Sequence, residues 1–191
     1  MKFINFSKLS HKNKTIFKKK IYYLIIEKMK LSVFTFLNFK EFEKIYFNVN
    51  KEFIFIDLTN KKKINCLLTY LPDKNEKILR DNLLSILFKN PVKFLNFFFS
   101  PSNLFKNIRP PIGYLQLFHI INANLKNIKK KKKYNLNNDL HRKVVKGKYK
   151  GVYVLYRNTN FIAKKYYYNN NFKIYKKNLF YSLAVKNFKF I

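Results

Sequence analysis

The sequence predicts an α+β fold built from small mixed helix/strand modules with basic extensions. Two apolar runs of strand length, residues 51–58 and 64–71, flank a Lys-rich turn. Two longer runs, residues 74–88 and 113–128, space their apolar side chains as a helix does. An apolar share of 48% with 19% aromatic residues supplies the material for a core, which a disordered chain lacks.

Taken in order, residues 21–30 read equally as helix or strand, because periodicity does not separate the two in so short an apolar run. The longer stretch 21–39 is interrupted by Glu27, Lys28 and Lys30, which rules it out as a membrane-spanning helix. In KEFIFIDL (51–58), Phe53 and Phe55 fall on one face and Ile54 and Ile56 on the other, predicting a strand covered on both sides. INCLLTYL (64–71) is its expected partner across the turn at 60–63. Pro72 ends that strand, and Asp73 is the expected N-cap of a helix carrying Ile78, Leu79, Leu83, Ile86 and Leu87, closed by Pro91.

Residues 90–111 hold four of the five prolines and read as an extended surface loop. The expected organisation is therefore an N-terminal α+β module over residues 1–90, a linker over 91–110 and a basic α+β module over 111–191. The last module opens with a predicted helix at 113–128, where Leu117, Ile121, Leu125 and Ile128 recur at steps of four and three. The helix runs into five lysines, followed by an Asn-rich loop at 134–139. Residues 150–156 and 160–168 read as two strands around the turn RNTN, and 171–191 adds one or two more.

Charge is the strongest functional signal. The chain carries 41 Lys or Arg against 9 Asp or Glu, a net charge of +32 in 191 residues. Residues 1–81 account for +10 of it and residues 82–191 for +22, where Asp139 is the lone acid. Such self-repulsion asks for a polyanionic partner and weighs against a free-standing cytosolic enzyme. The expected nucleic-acid contacts are Lys129, Lys130, Lys131, Lys132, Lys133, Arg142, Lys143, Lys146, Lys148, Lys150, Arg157, Lys164 and Lys165, which would neutralise phosphates. Tyr149, Tyr153, Tyr156 and Tyr166–Tyr168 are interleaved with them and offer rings for base stacking.

Other chemistries lack parts. A single Cys66 excludes an internal disulfide and a multi-thiolate zinc site. His11, His119 and His141 share no ligand spacing, and the three glycines build no phosphate loop. The Tyr pairs at 151–153 and 166–168 superficially resemble GIY-YIG endonucleases. Asn169 stands where a Gly would be needed, however, and no carboxylate follows Asp139 to hold a metal. No catalytic residue, no metal and no cofactor are expected.

The 37 lysines against 4 arginines, with 26 asparagines and 22 phenylalanines, follow the codons poorest in G and C, and point to an A+T-rich organelle genome. The N-terminus is basic and free of acids, as a transit peptide is, but it is poor in Arg and Ser and has no clear amphipathic run, so no transit peptide is expected. Residues 111–178 resemble the N-terminal domain of the eighth small-subunit ribosomal protein. The resemblance rests on Pro111-Ile112 and Asn122-Ala123, then on residues 146–149 and 165–168. It implies a non-enzymatic structural constituent of a mitochondrial ribosome. The expected partners are rRNA and neighbouring ribosomal proteins, with no small-molecule substrate and no membrane span. The rival expectation is an accessory subunit of an organelle respiratory complex on an anionic membrane face, with residues 113–133 as its amphipathic segment.

Overall fold

Ser10 starts the first long helix: its hydroxyl accepts the Asn13 N–H at 3.4 Å, opening α1 (His11–Lys28). Phe17, Ile21 and Ile25, at steps of four, form the buried stripe of that helix, so the ambiguous stretch 21–30 is helical through Lys28. The computed structural model describes residues 3–29, 33–58, 63–92, 95, 108–122, 138–145 and 148–188.

The mixed α/β fold is organised on a seven-stranded sheet of order β1-β2-β3-β4-β5-β7-β6. Its strands are β1 (Phe3–Asn5), β2 (Ile54–Leu58), β3 (Ile64–Leu71), β4 (Tyr114–Asn122), β5 (Gly151–Arg157), β6 (Lys173–Lys177) and β7 (Tyr181–Asn187). The chain divides into two compact units, residues 1–100 with 118–131, and residues 101–117 with 132–191.

In the first unit, β2 pairs antiparallel with both β1 and β3, as the two apolar runs require. The strand begins at Ile54 rather than Lys51, because Lys51–Phe53 form a 3-10 turn. Helix α2 (Phe39–Phe42) is opened by a reciprocal capping box between Asn38 and Glu41. A π-helical turn, Glu43–Phe47, follows it, and α3 (Asn48–Asn50) continues the chain. Ile45, Tyr46 and Phe47 are all buried although consecutive, which one face of a regular α-helix does not permit. Phe34, Phe42, Tyr46 and Phe47 pack edge-on and stacked at ring separations of 4.7–5.7 Å. Helix α4 (Asp73–Phe88) takes Pro72, not Asp73, as its N-cap. Leu79, Leu83 and Leu87 are buried at steps of four, and each such side chain contributes roughly 1.5–3 kcal/mol. Ile78 is half exposed.

The second half corrects three expectations. The helix predicted over 113–128 is strand β4 through Asn122, with residues 123–128 outside the described ones. Leu115, Leu117, His119 and Ile121 are buried at steps of two. A spacing of four is even, so Leu117 and Ile121 satisfy a strand as well as a helix. The strand predicted over 160–168 is helix α6 (Phe161–Asn169), preceded by α5 (Asn138–Val145). Asn160 decides that, its side-chain oxygen accepting the Ala163 N–H at 3.0 Å. Asn171, at φ +62°, ends α6 in the left-handed conformation. The Asn-rich loop predicted over 134–139 already enters α5 at Asn138, and residues 134–137 lie outside the described ones. Most of the predicted linker, with Phe97–Phe99, also lies outside them. The strand at 151–157 and the two tail strands stand as expected. Among the described residues no helix is long and apolar enough to cross a membrane.

Candidate functional site

The second unit is built on β5, which has different neighbours on its two sides. Seven consecutive residue pairs join it to β7, from Gly151↔Asn187 to Arg157↔Tyr181. On the other side it runs parallel to β4 for three pairs only, Tyr114↔Gly151, Leu115↔Val152 and Gln116↔Tyr153. Beyond Tyr153 that ladder stops, while β5 continues through Val154, Leu155, Tyr156 and Arg157. Peptide groups along that edge of β5 are therefore not engaged by β4, and an extended ligand can pair with such an edge.

Gly151 anchors the start of β5. A Cβ placed there would lie 2.2 Å from the Lys186 carbonyl oxygen and 3.0 Å from the Tyr114 ring, so only glycine admits this approach. Lys150 N–H donates to the Gly113 carbonyl at 2.8 Å, and the Phe188 N–H to the Lys150 carbonyl at 3.2 Å, tying the chain on both sides of β5.

Register fixes which side chains share a face. Val152, Val154 and Tyr156 of β5 lie on the same side as Lys186, Ala184 and Ser182 of β7 and Ile174 of β6. Helix α6 covers part of this face. Between them lies a half-open cleft of about 530 Å³ lined by Tyr156, Phe161, Lys164, Lys165, Tyr167, Tyr168, Phe172, Lys173, Ile174 and Ala184. The Tyr167 ring stands 5.3 Å from those of Tyr156 and Phe172. Burial, and then Tyr156, push the Tyr167 hydroxyl's pKa well above the usual tyrosine value, so it stays protonated at ordinary pH.

On the same face, Lys186 is a buried cation. Its Nζ donates to the Asn170 carbonyl at 2.8 Å and lies 5.8 Å from the centres of the Phe172 and Phe188 rings. Burial, then the charge of Arg142, lowers its pKa from the lysine value. His141 of α5 stacks on Phe188, and burial followed by Lys186 brings the imidazole down to about 3, so it is neutral. On the opposite face, among the described residues, the buried Gln116 Oε1 finds no donor.

The first unit holds its own polar cluster. Tyr46 Oη lies 2.7 Å from Thr69 Oγ1 and 3.0 Å from His119 Nδ1, all three residues being buried. Burial brings His119 to about 3. It falls in the segment expected to be helical over 113–128 and is instead a neutral core residue of β4.

The sequence-predicted cations fall as follows. Arg142 and Lys143 on α5, Lys148 and Lys150 before β5, and Lys164 and Lys165 on α6 are exposed; Arg157 at the end of β5 is half-buried. Lys129, Lys130, Lys131, Lys132, Lys133 and Lys146 lie outside the described residues. Of the tyrosines offered for stacking, Tyr153 and Tyr156 are buried and Tyr168 is exposed. Sequence reasoning missed Tyr167, Lys186 and His141 as a neighbourhood. The one signal available was Asn160, whose cap turns 161–169 into a helix and so places Tyr167 over β5.

No protein-family model and no curated protein matches the sequence. The fold does find counterparts among solved structures. It is similar to that of an acetyltransferase at 13% identity and a TM-score of 0.63, over 98% of this chain and 99% of that one. It is also similar to an N-acetyltransferase from Staphylococcus aureus Mu50 at 10% identity and a TM-score of 0.58, over 97% of this chain and 100% of that one. That end-to-end likeness overturns the ribosomal reading. With it go the expected rRNA and ribosomal-protein partners, the absence of a small-molecule substrate and the absence of turnover; the respiratory-subunit alternative gains no support either. The physical cause is local. The segments that carried the ribosomal resemblance, read as a helix from 113 and a strand over 160–168, form β4 over Tyr114–Asn122 and α6 over Phe161–Asn169.

Proposed function

We propose that this protein is an acyltransferase that moves an acetyl group from the thioester of acetyl-coenzyme A to an amine. The observation that carries the reading is the fold, shared over nearly the whole chain with two acetyltransferases. The early end of the β4–β5 ladder supports it. A thioester donor with an extended, amide-bearing arm can pair with the β5 edge as a strand does. Among the predicted cations, Arg142, Lys143, Lys148 and Lys150 are exposed and carry the charge to meet the donor's phosphates.

The transfer asks for little covalent help. The amine lone pair attacks the thioester carbonyl carbon, the C–S bond breaks, and the sulfur leaves as thiolate. Tyr167 gives the thiolate a proton from its hydroxyl and is reprotonated by water, while the new amide nitrogen releases its proton to water. The Tyr167 hydroxyl carries a proton at neutral pH, and its ring is placed over β5 beside Tyr156.

The test is to incubate the purified chain with acetyl-coenzyme A and a panel of amines, reading free thiol release, and to follow melting with coenzyme A alone. A rise in melting temperature and amine-dependent thiol release are expected. No shift at millimolar coenzyme A together with no thiol release would overturn the reading.

A further inference from the structure

We propose that the cleft between α6 and β6 binds a single-chain anionic amphiphile, a hydrocarbon body ending in one carboxylate. Its floor is Tyr156, Tyr167, Phe172 and Ala184, its walls are Phe161 and Ile174, and Lys164, Lys165 and Lys173 stand at its rim. At about 530 Å³ it falls within the span of small-molecule sites, roughly 300–1,000 Å³.

Three features choose the ligand. First, the walls are exposed apolar groups in solvent: Phe161 is 74% exposed, Tyr168 78% and Ile174 55%, although β7 buries Leu183 and Ala184 beside them. Apolar surface gathered around a concavity marks a binding site rather than scattered surface hydrophobes. Second, the head must be anionic. The three rim lysines are exposed, and no Asp or Glu follows Asp139 in the sequence, so the elements lining the cleft carry no carboxylate at all. Charge complementarity then rejects a cationic head and accepts a carboxylate. Third, the body must be plain hydrocarbon. Apart from tyrosine hydroxyls the lining offers no polar side chain below the rim, so a nucleobase would bury ring nitrogens without partners, at a cost of order 1–3 kcal/mol per group. A concavity of this size takes one chain; a bilayer face would be read by a broad surface instead.

The experiment is isothermal titration of the full chain with dodecanoate below its micelle concentration, with no acyl donor present. Its failure is thus separate from failure of acyl transfer. One saturable site per chain is expected, with dodecyltrimethylammonium binding at least tenfold more weakly. Lys164→Glu/Lys165→Glu/Lys173→Glu should weaken dodecanoate at least tenfold, and so should Phe161→Asp/Ile174→Asp, whose positions are exposed and spare the core. A charge reversal on α1, Lys12→Glu/Lys14→Glu, should leave binding unchanged. The proposal is overturned if dodecanoate does not bind, if the cationic amphiphile binds equally, or if neither cleft variant weakens it. It is also overturned if the α1 variant weakens binding as much, or if only anionic lipid vesicles are bound.

Discussion

Acidification should unfold this protein through its two buried histidines. His119 and His141 each sit near pKa 3 in the folded chain because burial disfavours the imidazolium, and each returns to about 6.5 when unfolded. Above pH 6.5 both states are neutral and the histidines do not move stability. Between about 6.5 and 3 the unfolded chain takes up a proton on each site that the folded chain refuses. Stability is then lost at about 1.4 kcal/mol per pH unit per histidine, or about 2.7 for the pair. From pH 6.5 to 5 that amounts to about 4 kcal/mol, a large share of the 5–15 kcal/mol typical of a domain. The assay is urea unfolding by far-ultraviolet circular dichroism at fixed ionic strength from pH 7.5 to 5, since the chain has no tryptophan. Where the two units melt together, His119→Gln and His141→Gln each remove about half the slope; where they melt separately, each unit carries one histidine's slope, which His119→Gln abolishes in the first unit and His141→Gln in the second. Stability that stays flat between pH 6.5 and 5, or a slope unchanged in the double variant, would refute the reasoning.

Other predictions are more local. Tyr167→Phe should lower kcat for acyl transfer by about 10²-fold with little change in KM, read by thiol release, because it removes a proton donor and keeps the ring. Gly151→Ala should destabilise the second unit by about 1–3 kcal/mol in urea melts, since the added Cβ meets the Lys186 carbonyl at 2.2 Å. Asn160→Ala should cost about 1 kcal/mol by removing the cap on the Ala163 N–H, while Asn160→Asp should keep most of it. Tyr46→Phe should cost about 1–3 kcal/mol, because it strips a buried hydroxyl from between Thr69 and His119 and leaves both with one partner fewer.

Local rules were sufficient where a segment's own pattern settled its state. Ile64–Leu71 is apolar almost throughout and ends at a proline, so no alternative competes with a strand. Helix α4 repeats leucines at steps of four over several turns, and its bounds follow within a residue. The mixed α+β class and the surplus of charge after residue 81 belong to the same legible layer.

Residues 114–122 and 161–169 were decided elsewhere. In β4 both faces are covered, so the alternation that marks a strand is blurred and a four-residue spacing passes for a helix. In α6 an aromatic, Lys-rich composition mimics a strand, because β-preference in aromatics reflects packing surface rather than backbone choice. The candidate site could not be read for the same reason. Tyr156, Tyr167 and Ala184 come from three elements and meet only through the β5–β7 register and the placement of α6. By itself the sequence determined that this chain is cationic, can bury a core and lacks carboxylates after Asp139. Tertiary structure alone decided that the β4–β5 ladder ends after three pairs and that an aromatic cleft forms under a lysine rim. Strand pairing and side-chain convergence are long-range events, and no window of adjacent residues encodes them.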